Sequence, residues 1–191
     1  MGYALKKEAW ISPETYLEME TASEERHEYV DGEIFAMTGA ASTHNLININ
    51  LLSLIREHLR GGPCRVFAID IKLRVEAANC YFYPDLMVTC SETDRQSRSV
   101  MNEPLLVVEI LPPSTALYDH NRKFAAYRQL PSLQEYVLVN AGQMGIDSYR
   151  RGEGKDWILH PYGVGESVVL HSLNLTFPVE EAYRDVEFLS P

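Results

Sequence analysis

Two carboxylates in this chain stand where apolar side chains would be expected. Glu109 interrupts the strand-like run Pro104-Leu-Leu-Val-Val-Glu-Ile-Leu111, and Asp85 follows Tyr83-Pro84 directly before the run Leu86-Met87-Val88. A lone ionised carboxylate in such a strand costs several kcal/mol unless it is paired, hydrogen-bonded or bound to metal, so Glu109 demands a partner. A hard divalent cation such as Mg²⁺ (or Mn²⁺) takes oxygen ligands and keeps several waters. One or two carboxylates at the ends of adjacent strands are therefore enough to hold it against a phosphate. Downstream, Lys123 could supply a positive charge to the transition state. Tyr127, one helical turn on, shares its face and could orient it. Two like charges that share a cation should also raise at least one carboxylate pKa when the cation is away.

The plain structural reading is weighed beside this one. Asp85 could simply end a turn after Pro84, Glu109 could be neutralised by a structural arginine, and Lys123 could lie in solvent as an exposed helix residue. Three further residues carry candidate roles. Glu33, just past the Asp31-Gly32 turn, could complete the oxygen shell of the metal or bind one of its waters. His44 opens a long helix and could face the site, and Lys72 is an alternative source of the catalytic charge.

The elements that must position these residues are readable in order. Ser12-Pro13 opens a short helix with an N-cap serine and a first-turn proline. Arg26–Val30 and Glu33–Met37 form strands joined by Asp31-Gly32, a dipeptide that favours a two-residue hairpin turn. Leu46, Ile47, Leu51, Leu54, Ile55 and Leu59 keep helical spacing from Thr43 to Arg60, where Gly61-Gly62 stops the helix. Period-two alternation then predicts one strand over Arg65–Val75, and a second spans Tyr81–Cys90. A polar loop from Ser91 to Glu103 leads to the Glu109 strand. In that strand Leu106, Val108 and Ile110 share one face, and Leu105, Val107, Glu109 and Leu111 share the other. A helix over Asp119–Leu130, a buried strand over Glu135–Val139 and short strands from Gly145 to Leu173 complete the chain.

These elements are expected to form one domain over all 191 residues, with a core at about 43–140 and β-hairpins added at both ends. Cys64, Cys80 and Cys90 are odd in number and widely spaced, without the close Cys or His pairs of a zinc site. They read as free thiols in a reducing cytoplasm. No apolar run reaches the ~20 residues of a membrane helix, and the N-terminus has no signal-peptide core. The net charge of −10 argues against a broad basic surface that coats nucleic acid. It leaves room for a local cationic rim from Arg95, Arg98, Arg122, Lys123 and Arg128.

The set Tyr83-Pro84-Asp85, Val107-Val108-Glu109-Ile110-Leu111, Pro113-Ser114-Thr115, Tyr118-Asp119 with Lys123 and Tyr127, and Glu135-Tyr136-Val137-Leu138-Val139 resembles the Uma family of restriction-endonuclease-like proteins, within the PD-(D/E)XK nuclease superfamily. Tyr29-Val30-Asp31-Gly32-Glu33 and the Gly39–His44 loop extend the resemblance over most of the chain. It implies an α/β fold with a restriction-endonuclease-like core, a central mixed sheet flanked by helices. It also implies Asp85 and Glu109 as metal ligands, Lys123 as the catalytic lysine and Glu33 at a recurrent acidic position. Leu111 stands where the superfamily pattern has its lysine, and Pro112 stands where the family usually has serine. The implied activity is Mg²⁺-dependent cleavage of DNA. A homodimer would match two sites to two strands, with the stretch from Gly145 to Leu173 as its surface. The competing reading is a non-catalytic protein on the same scaffold, acting as a DNA-binding or protein-interaction module.

Overall fold

The structure is a computed structural model, and it describes residues 10–37, 39, 41–112 and 116–188, with backbone alone at 116–121. Pro113-Ser114-Thr115 of the motif set therefore lies outside the described residues, as does Ala40 of the Gly39–His44 loop. Helix α1 (Pro13–Ala22) starts where Ser12 accepts the Thr15 N–H at 3.2 Å, as an N-cap serine should. Strands β1 (His27–Val30) and β2 (Glu33–Ala36) form the expected hairpin. Asp31 and Gly32 both take positive φ, 47° and 95°, as a two-residue turn of matching twist requires. Helix α2 (Ser42–His58) buries Ile47, Leu51 and Ile55, spaced four apart on one face.

The run predicted as one strand over Arg65–Val75 is two strands, β3 (Arg65–Ala68) and β4 (Lys72–Val75), in different sheets. The break falls at Ile69 and Asp70, both in the left-handed region at φ 52° and 62°. The apolar–polar alternation of the sequence runs through the corner without marking it, although only β4 alternates in burial. The next strand divides in the same way, into β5 (Cys80–Phe82) and β6 (Leu86–Thr89). Tyr83-Pro84-Asp85 carries the chain back between the sheets, and Pro84 has no N–H to give a ladder there. The supposed polar loop contains a short helix, α3 (Glu92–Gln96), and strand β7 (Val100–Met101). The chain continues as β8 (Pro104–Leu111), α4 (Ala116–Tyr127) and β9 (Glu135–Asn140). Strands β10 (Ile146–Arg151), β11 (Trp157–Tyr162), β12 (Ser167–Leu170) and β13 (Leu175–Pro178) follow, and α5 (Val179–Ala182) closes the set.

The larger sheet has six strands in the order β11-β10-β9-β8-β6-β3, mixed because β8 and β9 run parallel. One face packs Leu86, Val88, Leu106, Val108, Ile110, Val137 and Val139 against α2 and the C-terminal Phe177, Val179 and Tyr183. The other face packs Met87, Val107, Tyr136 and Leu138 against α4 and against Leu73, Val75 and Phe82 of a five-stranded sheet, β2-β1-β5-β4-β7. Beneath the outer side of that second sheet, α1 contributes Tyr16 to a cluster with Tyr29 and Tyr81. The layers thus run α1, five strands, α4, six strands, α2. This is the expected α/β architecture of a central mixed sheet flanked by helices, with a second, five-stranded sheet that was not expected.

The cysteines correct an expectation. Cys64 and Cys90 form a disulfide, and only Cys80 is a free, buried thiol. The antiparallel register Arg65↔Thr89 sets the two residues opposite each other across β3 and β6, a long-range pairing that their spacing in sequence conceals. Denatured without reductant, the protein should show one reactive thiol, and three after reduction. A cross-link over a sequence separation of 26 should make the reduced protein less stable by about 3 kcal/mol in chemical denaturation.

Candidate functional site

The register of β6 on β8, Leu86↔Val108, continues by one residue to set Asp85 opposite Glu109. Glu109 shares the face of Val107 that looks towards α4, where Lys123 and Tyr127 stand one helical turn apart. Tyr127 Oη donates to Glu109 Oε1 at 2.8 Å, and Lys123 Nζ lies 3.3 Å from both Glu109 oxygens. Lys123 Nζ also meets Glu28 Oε1, from β1 of the other sheet, at 2.8 Å. Asp85 is held on its other side. Its Oδ2 accepts the Ile110 N–H at 2.7 Å, and its Oδ1 meets His44 Nε2 at 3.0 Å. One turn along α2 from His44, the Asn48 amide donates to the Asp85 carbonyl at 3.4 Å. Helices on opposite faces of the six-stranded sheet therefore deliver side chains to one end of it.

Burial sets the electrostatics. Glu109 is 4% exposed. Desolvation pushes its pKa up to about 7; the Lys123 ammonium opposes that rise, the charges of Asp85 and Glu28 add to it, and the Tyr127 hydrogen bond opposes it. The expected rise is therefore present, but its first cause is burial rather than like charge. Burial alone would lower the Lys123 pKa, yet Glu109, Glu28 and Asp85 together carry it above the ordinary lysine value, so the ammonium persists. The hydrogen bond to Asp85 raises the pKa of His44, against the pull of burial. Burial first, and the Glu109 charge second, raise the pKa of Tyr127, which keeps its hydroxyl a donor.

Three carboxylates here face one ammonium and one imidazole, an excess of hard, negative oxygen that suits a divalent cation. Among the described residues no group of three or more His, Cys, Asp or Glu side chains forms a metal cage. Asp85 and Glu109 are the oxygen donors that could serve a hard cation such as Mg²⁺, which differs in donor type from the sulfur and nitrogen ligands of structural zinc. Other buried carboxylates differ in kind. Asp94 accepts the backbone N–H groups of Asn102 and Glu103, and Glu135 is bound by Ser148, Arg150 and Ser172. These bonds knit chain segments together.

The structure thus gathers Asp85, Glu109, Lys123, Tyr127 and His44. Lys123 is not the solvent-exposed residue of the sequence reading, since its side chain is 16% exposed and pairs with two carboxylates. Glu33 is 69% exposed on β2, its carboxylate 3.9 Å from Arg122; the acidic residue that reaches Lys123 is Glu28. Lys72 lies in the five-stranded sheet with its ammonium 5.3 Å over the Tyr83 ring, and burial lowers its pKa. Glu28 and Asn48 were missed. Glu28 sits in a polar–apolar alternation that reads as a solvated face until a second sheet covers it. Asn48 carried a usable signal, because it shares a helix face with His44 at a spacing of four.

A family model described as "Uma2: Putative restriction endonuclease" matches residues 13–180. The Synechocystis sp. protein slr1290 is 39% identical over 178 residues, covering 93% of this chain and 94% of its own length. A second protein from that organism, sll1609, is 35% identical over 147 residues, covering 75% and 82%. The crystal structure of a "putative nuclease belonging to DUF820" from Anabaena variabilis superposes with a TM-score of 0.75 at 16% identity, over 91% of this chain and 98% of that one. At that identity the likeness speaks for the fold, which is restriction-endonuclease-like. The family match and the full-length relative together place this chain in the Uma2 family.

Proposed function

We propose that this protein is a metal-dependent nuclease that hydrolyses phosphodiester bonds of DNA. Asp85 and Glu109 would hold Mg²⁺ or Mn²⁺, and Lys123 would supply the catalytic cation. The observation that carries the reading is a largely covered lysine set against Glu109 while Asp85, just before the neighbouring strand, stands opposite in register. When bound, the metal supplies Lewis acidity to a phosphoryl oxygen and lowers the pKa of a water. The chain does the remainder. The Ile110 N–H and His44 fix the Asp85 carboxylate in place before a ligand arrives. Tyr127 favours the ionised form of Glu109, the form that can ligate. Glu109 and Glu28 keep Lys123 charged, ready to offset negative charge growing on phosphate. The Lys123–Glu109 contact supports α4 as the source of the lysine that Leu111 does not provide.

Two further parts belong to this reading. The edge strand β11 exposes Ile158 and Leu159, which supports a homodimer formed through the C-terminal strands. A cytoplasmic location is part of the same reading, and the Cys64–Cys90 disulfide counts against it, because a reducing cytoplasm keeps thiols reduced; no described helix is long and apolar enough to cross a membrane. The alternative, a non-catalytic DNA-binding or protein-interaction module, is favoured by one observation: both carboxylates already have protein partners.

With Mg²⁺ or Mn²⁺, the protein should cut DNA, and Asp85→Ala should lose at least about 100-fold in rate. Lys123→Ala would leave two carboxylates without their ammonium, at a cost of about 3–5 kcal/mol. Lys123→Gln, checked by its melting curve, is the better test and should be similarly inactive, whereas Lys72→Ala should stay active. DNA binding without cleavage under every metal condition would favour the alternative.

The pH dependence has a definite sign. Glu109 gives up its proton as pH rises through about 7, so Mn²⁺ affinity measured by calorimetry should increase between pH 6 and pH 8. Tyr127→Phe removes a bond that favours the ionised carboxylate and should move that rise to higher pH. An affinity flat in pH for both proteins would argue against Glu109 as a ligand.

A further inference from the structure

Phe35 is a large apolar residue outside the buried clusters, and the proposed chemistry does not use it. It lies on β2, the edge of the five-stranded sheet, and is 39% exposed. The hairpin register places it directly across from Glu28, the residue that meets Lys123 at 2.8 Å. Its neighbour Ile34 points the other way, into the cluster around Tyr16 and Tyr29. Arg122, one residue before Lys123, lays its guanidinium 4.7 Å over the Phe35 ring, about a third exposed itself. A partly exposed phenyl ring, with one face under the Arg122 guanidinium, thus stands beside the candidate catalytic residues, and that guanidinium also lies 3.9 Å from the Glu33 carboxylate, which a phosphate would have to displace.

The pair has the chemistry of a nucleotide subsite. A ring stacks on any base because every base has a π-face, and a guanidinium binds phosphate oxygens through paired N–H groups. The stacked neighbours of a duplex cover both faces of each base, so only an unpaired nucleotide can offer one to Phe35. We propose that Phe35 and Arg122 bind an unpaired nucleotide of DNA next to the Asp85–Glu109 site, which makes single-stranded or locally unpaired DNA the preferred substrate. This rests on the nuclease reading and gives it a substrate class.

The test compares labelled oligothymidylate with a fully paired duplex of the same length, using anisotropy for binding and Mn²⁺-dependent cleavage for kcat and KM. Wild-type protein should prefer the single strand. Phe35→Ala should bind oligothymidylate about tenfold more weakly and with a higher KM, and Phe35→Trp should restore it. Arg122→Gln should also weaken it, with melting curves showing all three variants folded. Phe35→Ala equal to wild type on oligothymidylate, or a wild type that prefers the duplex, would overturn the subsite while leaving the nuclease reading intact. A wild type that neither binds nor cuts any DNA would overturn both.

Discussion

The contact of Lys123 with Glu109 and Glu28 is the constraint on which this arrangement turns. Glu109 belongs to the six-stranded sheet, Glu28 to the five-stranded sheet, and Lys123 to the helix between them. Removing three charged groups from water costs several kcal/mol each, and their attraction recovers that cost only where all three are held in place. The apolar layers hold them. Val107, Met87 and Tyr136 on one sheet, and Leu73 and Phe82 on the other, close around Ala126, Tyr127 and Leu130 of the same helix.

The legible parts of the fold were those with local physical signatures. Period-two alternation placed Glu109 on the mixed face of β8, and the packing against Tyr127 and Lys123 is the direct result. Helical spacing gave the buried face of α2, and Asp31-Gly32 gave the hairpin. The illegible parts were long-range. Nothing in alternation distinguishes a strand that continues from one that turns a corner at Ile69-Asp70 into another sheet. Cys64 and Cys90 needed the β3–β6 register before they could be paired. Glu28 and Glu33 lie on the same face of one hairpin, and only the position of α4 decides that Glu28 is the one reaching Lys123.

Burial alone does not mark a functional carboxylate in this protein. Asp94, Glu135 and Glu20 are as buried as Glu109. Asp94 and Glu135 are met mainly by backbone N–H groups, serines and an arginine, and Glu20 by the His27 N–H and imidazole and the Tyr83 hydroxyl. Those carboxylates join strands and helices to loops. Glu109 differs because its neighbours include another carboxylate on the adjacent strand, so its charge is opposed as well as supported.

That opposition has a location. Two of the places where the chain crosses between the five- and six-stranded sheets are Ile69-Asp70 and Tyr83-Pro84-Asp85, and the latter places Asp85 immediately before β6. A strand that continued through Asp85 in the sheet would have used its backbone in a ladder. A strand that begins there leaves the carboxylate to accept the Ile110 N–H and to meet His44 of α2. Pro84, with no N–H to give a ladder, suits that crossing, which ends just before β6 and leaves the Ile110 N–H to the Asp85 carboxylate rather than to a continuing strand.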